Sequence, residues 1–333
     1  MNKLSLIQHF CGMRVIKAIT LLFLIGLSSI VHAQGDGPRF YWKSLVGMNA
    51  FPVIGSSVNG NANPMDPAHT VEPGSTFLAT MAMPGYARVF SLFNRSAMAS
   101  IILPMGRISS EITSNGLTST QTAMGFGDPM LQLGINIVGP KAMKGIPDVL
   151  RYKPGFSMDI IGSIAIPIGQ YDNTSTVNIG QNRWYGRIGL PIVCQLGKWV
   201  PGKRTTLELL PAVWFFSNNK DFEGQTLETK PVFQTEGHIT RDFMERLWGS
   251  VDVIWYVGGE STIDTVNIPK LNNVGIGGPL GYQINDNLQL TLTYTNIVND
   301  ADPEDLKMNS FRVTLIFGWH KLVEGMHRLK GND

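Results

Sequence analysis

The feature that most constrains this chain is a strict two-residue alternation near its end. Between Met308 and Trp319, the residues Phe311, Val313, Leu315, Phe317 and Trp319 share one parity, while Ser310, Arg312 and Thr314 take the other. Side chains alternate across a β-strand, so this segment has one apolar and one polar face. The pattern recurs upstream. Leu288, Leu290, Leu292 and Tyr294 alternate with Gln289, Thr291, Thr293 and Thr295, and within residues 247–257 Val251, Val253 and Trp255 alternate with Ser250, Asp252 and Tyr256. In residues 232–241, Phe233 and Ile239 oppose Gln234, Glu236 and His238. Less regular strands fit residues 77–83, 86–93, 97–104, 130–138, 156–167, 184–196, 205–217 and 273–282, which brings the count to twelve. No stretch beyond the first thirty residues is long and apolar enough for a transmembrane helix.

Alternation alone also suits a soluble sandwich, so the ends of the chain and its links decide. Lys3, Arg14 and Lys17 precede an apolar run from Ala18 to Ile30, and Val31-His32-Ala33 follows with small or aliphatic residues at cleavage positions. This predicts a secretory signal peptide over residues 1–33, too short in its apolar part for a spanning helix. Cys11 lies before the apolar core, which argues against a lipidated leader. The leader holds three of the 27 basic residues and none of the 25 acids, leaving 24 against 25, a neutral chain with no basic stripe for nucleic acid. Only Cys194 survives cleavage, so no internal disulfide holds the fold.

The links after the eighth and tenth strands, residues 242–246 and 283–287, are very short. Those after the third, fifth, seventh, ninth and eleventh strands are longer and rich in Gly, Ser, Asn, Thr or Asp. Short turns on the periplasmic side and long loops outside are the asymmetry of an outer-membrane barrel. The expected fold is therefore all-β, a transmembrane antiparallel up-and-down barrel of about twelve strands, with ten or fourteen as neighbouring solutions. Residues 139–155 are a long link on the short-turn side and break the pattern. The expected domains are the leader, an extension or plug over residues 34–75, the barrel over 76–319 and a periplasmic tail over 320–333. Trp184-Tyr185, Trp214-Phe215-Phe216, Trp248, Tyr282 and Trp319 lie near strand ends, as interfacial aromatic girdles require.

Several motifs resemble those of a known family. They are Pro84-Gly85-Tyr86-Ala87-Arg88 with Phe93-Asn94-Arg95-Ser96-Ala97, Gly125-Phe126-Gly127-Asp128-Pro129, Pro167-Ile168-Gly169-Gln170-Tyr171 through Asn182-Arg183-Trp184, Val213-Trp214-Phe215-Phe216 and Tyr256-Val257-Gly258-Gly259. In order and spacing, from about Arg39 to Trp319, the chain resembles the outer-membrane family named for the meta-pathway of phenol degradation. The resemblance implies a transporter linked to aromatic catabolism, with a small aromatic solute as cargo. Many outer-membrane proteins end on an aromatic residue, whereas here Trp319 is followed by a tail, so recognition by the barrel assembly machinery would use the internal strand.

Other chemistries lack the arrangement of residues they require. A lipid hydrolase needs its triad on the lipid-facing wall, but His238 shares its parity with Gln234 and Glu236, which point to the lumen. Ser217-Asn218-Asn219-Lys220 matches a serine-x-x-lysine pattern without its companion motifs. The run Gly275 to Gly281 lacks the helix that a phosphate loop needs, and suits a bending barrel wall. Asp300, Asp302, Glu304 and Asp305 lack calcium-loop spacing and read as a solvated or lipopolysaccharide-facing loop, and no Cys or His spacing suggests zinc. No metal, cofactor or catalytic residue is expected.

The residues expected to face the lumen are Arg88, Asp159, Arg187, Glu208, Glu236, His238, Asp252 and Arg312. In a narrow barrel such charges persist only when paired or hydrated, so the three arginines are expected to meet those four carboxylates. Arg88 shares its parity with Tyr86 and Phe90, which makes its placement the least determined of the three. The expected function is passive passage of a small, aromatic or hydrophobic solute across the outer membrane. The alternative is a structural or surface-interaction barrel whose lumen is closed by these pairs.

Overall fold

The computed structural model describes residues 35–114, 117–153, 155–298 and 305–322. The leader, most of the acidic loop and most of the tail lie outside the described residues. Among those described, no helix is long and apolar enough to cross a membrane.

Twelve antiparallel strands close into a barrel. The first is β1 (Asn49–Gly60), followed by the long β2 (Ser75–Leu92) and β3 (Arg95–Ile102). A hairpin of β4 (Met105–Ser114) and β5 (Leu117–Phe126) precedes β6 (Met130–Val138) and β7 (Phe156–Ala165). Next come β8 (Tyr185–Gly189) and β9 (Ile192–Leu196), two halves of one wall strand that both pair with β7 and with β10 (Thr205–Phe216). Pro191, which has no N–H to donate, stands in the break between them. The hairpin of β11 (Asn219–Phe222) and β12 (Gln225–Thr229) leads to β13 (Val232–Asp242) and β14 (Leu247–Gly258). The short β15 (Ser261–Ile263) and β16 (Val266–Ile268) precede β17 (Leu271–Gln283), β18 (Leu288–Val298) and β19 (Met308–Trp319). The ring closes where β1 pairs with β19 along its whole length, Asn49 opposite Trp319 and Gly60 opposite Met308.

The count of twelve agrees with the sequence reading, but through two differences that cancel. Residues 77–83 and 86–93 are one strand, β2, which runs through Pro84-Gly85. Meanwhile β1 lies inside the segment read as extension or plug, because Pro52 and the small residues of its sequence disguise the alternation. Pro52 and Pro84 stand within the β1–β2 ladder, which continues on both sides of them. The β2–β3 turn is Phe93-Asn94, both at positive φ, the geometry of a tight two-residue hairpin turn.

All the strands begin or end at one of two rims. Every connection longer than eight residues except 139–155 emerges from one, here the loop end, and the two-residue and four-residue turns, with the eight-residue link 197–204, lie at the other, the turn end. The exception is real and carries a short helix, Ile146–Arg151. At the loop end the links contain structure that alternation did not reveal. The β4–β5 hairpin continues the upper half of β2, and β11, β12, β15 and β16 form a separate four-stranded sheet. Their Ser- and Thr-rich sequences lack a lipid-facing apolar parity, so they read as loops.

The outward parity forms an apolar belt around the barrel. Leu133 (50% exposed), Ile188 (57%), Val251 (69%) and Phe317 (48%) are among its members, an exposure that suits lipid contact. The girdle is composed differently from expectation. Trp184, Phe215 and Tyr282 do face outward, but Tyr185, Trp214 and Trp248 are buried inside.

Candidate functional site in the barrel lumen

The inward parity is polar through the middle and turn-end part of the barrel and apolar at the loop end. Phe77, Ile108, Ile179, Tyr256, Ile297 and Leu306 belong to one buried cluster at the loop end. Against it folds the β1–β2 loop, residues 61–74. Its Asp66 accepts two hydrogen bonds from Nη2 of Arg183, at 2.9 and 3.0 Å, and the Arg183 side chain has no solvent exposure. Thr229 accepts from the other guanidinium nitrogen at 2.7 Å. His69 packs edge-on to Tyr256, with ring centres 4.9 Å apart. Burial pushes His69 down to about 4 against the pull of Asp66, and burial, with the Glu223 and Asp66 carboxylates beside it, pushes Glu72 up to about 8. Among the described residues, the loop end is thus shut by close packing around the buried Asp66–Arg183 ion pair.

Below this cluster the lumen holds the chain's own N-terminal segment, residues 35–43. Asp36 is deepest, where it accepts hydrogen bonds from Arg187 and from the hydroxyl of Tyr41. Glu236 lies 3.7 Å from Arg187 Nη1 and accepts from Gln234 Nε2 at 2.7 Å. Arg312 donates to the carbonyl of Gly35 at 3.0 Å. A Cβ added at Gly35 would lie 2.3 Å from a carboxylate oxygen of Glu236, so a side chain there would require the Glu236 carboxylate to move. Nearer the turn end, Glu208 accepts from the backbone N–H of Arg39 and from Nε1 of Trp42, both at 2.9 Å, and from Thr206 at 2.6 Å. Arg39 pairs with Asp242 at 2.8 Å, and Lys43 Nζ contacts both oxygens of Asp159 at 2.5 and 2.6 Å. His238 Nδ1 is 2.9 Å from Asp252, whose carboxylate also accepts from Ser250. Two cavities border the segment, of about 30 and 10 Å³, room for a few waters at most.

Of the residues expected to face the lumen, Asp159, Arg187, Glu208, Glu236, His238 and Asp252 are buried on the inward face. Arg312 also points inward, toward Gly35. Arg88 does not. It is exposed, on the outward parity of β2 with Leu78 and Tyr86, near the turn-end rim. A guanidinium that costs roughly 2 to 4 kcal/mol at the bilayer midplane costs about 0 to 1 near an interface, which explains why the outward position is tolerated.

The pairing also differs from expectation. Arg187 does approach Glu236, yet its closest carboxylate is Asp36, and Asp159 and Glu208 are met by Lys43, Arg39 and Trp42. The sequence held a signal for this. With Arg88 outside, the expected lumenal set retains two arginines against four carboxylates, a deficit of two positive charges beside His238. The stretch Asp36-Gly37-Pro38-Arg39-Phe40-Tyr41-Trp42-Lys43 contributes two cations and one acid. A wall that cannot balance itself calls for counter-charge from outside its strands.

The described residues contain no group of His, Cys, Asp or Glu able to hold a metal ion. The Ser250 hydroxyl donates to Asp252 and not to an imidazole, so it is not an activated nucleophile.

A family model described as "Putative MetA-pathway of phenol degradation" matches residues 58–311. No curated protein is similar to the chain at a significant level. Among solved structures, an outer-membrane channel of Pseudomonas putida F1 is similar with a TM-score of 0.67 and 16% identity, over 86% of this chain and 100% of that one. The toluene transporter TodX of Pseudomonas putida is similar more loosely, with a TM-score of 0.42 and 9% identity over 87% and 94% of the two chains, too distant to inform on function.

Proposed function

The chain belongs to the phenol-degradation family, and from that premise we propose that it is an outer-membrane channel for small solutes, seen here in its closed state. The belt of exposed apolar residues and the closed twelve-stranded ring support an outer-membrane location, with the turn end in the periplasm.

One observation carries the reading. Below the loop-end cluster, the lumen is filled by a segment that precedes the first strand, residues 35–43. A structural barrel closed for good would satisfy its wall charges with each other, strand to strand. Here Asp159 and Glu208 depend on residues 39–43, which precede the first strand. The apolar loop end and the polar turn end suit a small aromatic or otherwise hydrophobic solute, which would leave water at the loop end and be released past polar groups into the periplasm.

Planar-bilayer conductance and liposome uptake of a small aromatic solute test this. Deletion of residues 35–43 and shortening of residues 61–74 should each raise conductance or uptake, and together they should raise it most. If the doubly altered protein folds, as shown by heat-modifiable gel migration, and passes neither ions nor solute, the structural barrel is the correct reading. Partners beyond lipid, namely the assembly machinery, lipopolysaccharide and the aromatic solute itself, belong to the same proposal.

A further inference from the structure

The two cations of the N-terminal segment rest in seats made mostly by the barrel wall. Arg39 lies between two indoles, its guanidinium carbon 4.3 Å from the ring centre of Trp42 and 4.2 Å from that of Trp248. It pairs with one oxygen of Asp242, whose side chain is 1% exposed, at 2.8 Å, while Arg204 Nε donates to the other oxygen at 2.7 Å, and Arg39 Nε donates to Thr240 at 3.3 Å. Trp42 would leave with the segment, but Trp248, Asp242 and Thr240 stay behind on β13 and β14. In the second seat Asp159 receives Lys43, and Asn136 Nδ2 donates to the same carboxylate at 2.7 Å, which fixes its direction. A buried carboxylate beside an aromatic face is a general means of holding an organic cation. These wall groups are already arranged around one.

We propose that the two seats are a binding site for small organic cations of the guanidinium, amidinium or ammonium class, and that residues 39–43 are a tethered competitor for it. Only the consequence of binding rests on the channel reading above, because a cation that takes the seats displaces the segment and opens the turn end. Five residues separate Lys43 from the start of β1 at Asn49. So short a tether holds the segment near its seats at an effective concentration on the order of millimolar. A free cation therefore binds wild type with an affinity reduced by the fraction of time the seats stand empty. A flat aromatic cation suits the first seat best, since its ring replaces the departing Trp42 against the guanidinium-sized gap at Trp248.

Calorimetric titration of the detergent-solubilised full chain with benzamidinium, and with its neutral near-isostere benzamide, tests the proposal. Benzamidinium should bind the Arg39→Gln/Lys43→Gln variant at least about tenfold more tightly than wild type, because the competitor has lost its charges. Benzamide should bind neither, and adding Asp242→Asn to that variant should remove binding. An Arg39→Ala/Lys43→Ala pair serves as a second vacated form if the first does not migrate as a folded barrel. Equal binding of benzamide, or no gain in the vacated variants, overturns the site. If benzamidinium binds as expected but the folded protein lacking residues 35–43 and with residues 61–74 shortened passes neither ions nor solute, the site stands and the channel reading fails. If the deletion conducts but no charge preference is seen, the reverse holds.

Discussion

The two ends of the lumen are shut by different physics. At the loop end, residues 61–74 are packed against an apolar cluster and pinned by one wholly buried ion pair, Asp66 with Arg183. At the turn end, residues 35–43 meet the wall through three ion pairs, with Asp36, Arg39 and Lys43 each on an opposite partner, beside a smaller apolar contact of Tyr41 and Trp42 with Ile161, Val193 and Leu210. Apolar packing is not weakened by charge screening, and a buried pair within it is costly to break singly. Ion pairs that border small cavities, with the Asp36 and Asp159 side chains 19% and 12% exposed, are open to competing ions and, to a lesser degree, to ionic strength. The loop end is therefore the stable seal and the turn end the exchangeable one.

The comparison breaks most directly at Arg183. Arg183→Ala leaves Asp66 buried without its cation and should cost about 3 to 5 kcal/mol. Limited proteolysis should then cut within residues 61–74, and Asp66→Asn in the same protein should recover part of the loss. Intact protection in the single variant would show that apolar packing alone holds that end.

At the other end, Asp36→Asn removes the charge opposite Arg187 while Glu236 remains nearby. The loss should be about 1.5 to 3 kcal/mol in docking of the segment. Hydrogen exchange in residues 35–43 should rise about tenfold to a hundredfold, with residues 61–74 unchanged. Parallel loss at both ends would mean that they are one cooperative unit.

Salt sharpens the contrast further. Raising ionic strength from about 0.1 to 1 M shortens the screening length from about 10 to 3 Å. Exchange in residues 35–43 should increase by a few-fold, and exchange in residues 61–74 should not.

A smaller effect concerns pH at the loop end. Glu72 titrates at about 8 in the folded chain, above its usual 4.5, so between those values the folded state binds the extra proton. Stability should fall as pH rises from about 4.5 to 8, and the melting temperature of Glu72→Gln should lack this slope. Smallest of all is Lys230→Ala, which removes an exposed pair with Glu260 on the loop-end sheet. It should change stability by less than about 1 kcal/mol.

The barrel was legible because its lipid-facing parity is physically obligatory. β14, β18 and β19 announce themselves by alternation, and β13 announces its lumenal face by Gln234, Glu236 and His238. β1 was not legible, since Gly55 and Ser57 dilute its outward face while the apolar Ile54 and Val58 lie on its inward parity. The lumenal wall was mostly legible for the same reason as the barrel. Its partners were not, because nothing in the parity of a strand says that Lys43 will meet Asp159 across 116 residues. Arg88 shows the opposite failure, where a charge was assigned inward although a rim position lets it face out.

The seam between β1 and β19 also sets an order of events in assembly. Asn49 pairs with Trp319, so the first strand cannot find its second neighbour until the last has been made. Contacts so distant in sequence form slowly, and until they form both strands expose unpaired edges that invite aggregation. The segment ahead of β1 is carried by the strand that waits longest. In the nascent protein, the stopper and the final stave of the cask arrive together.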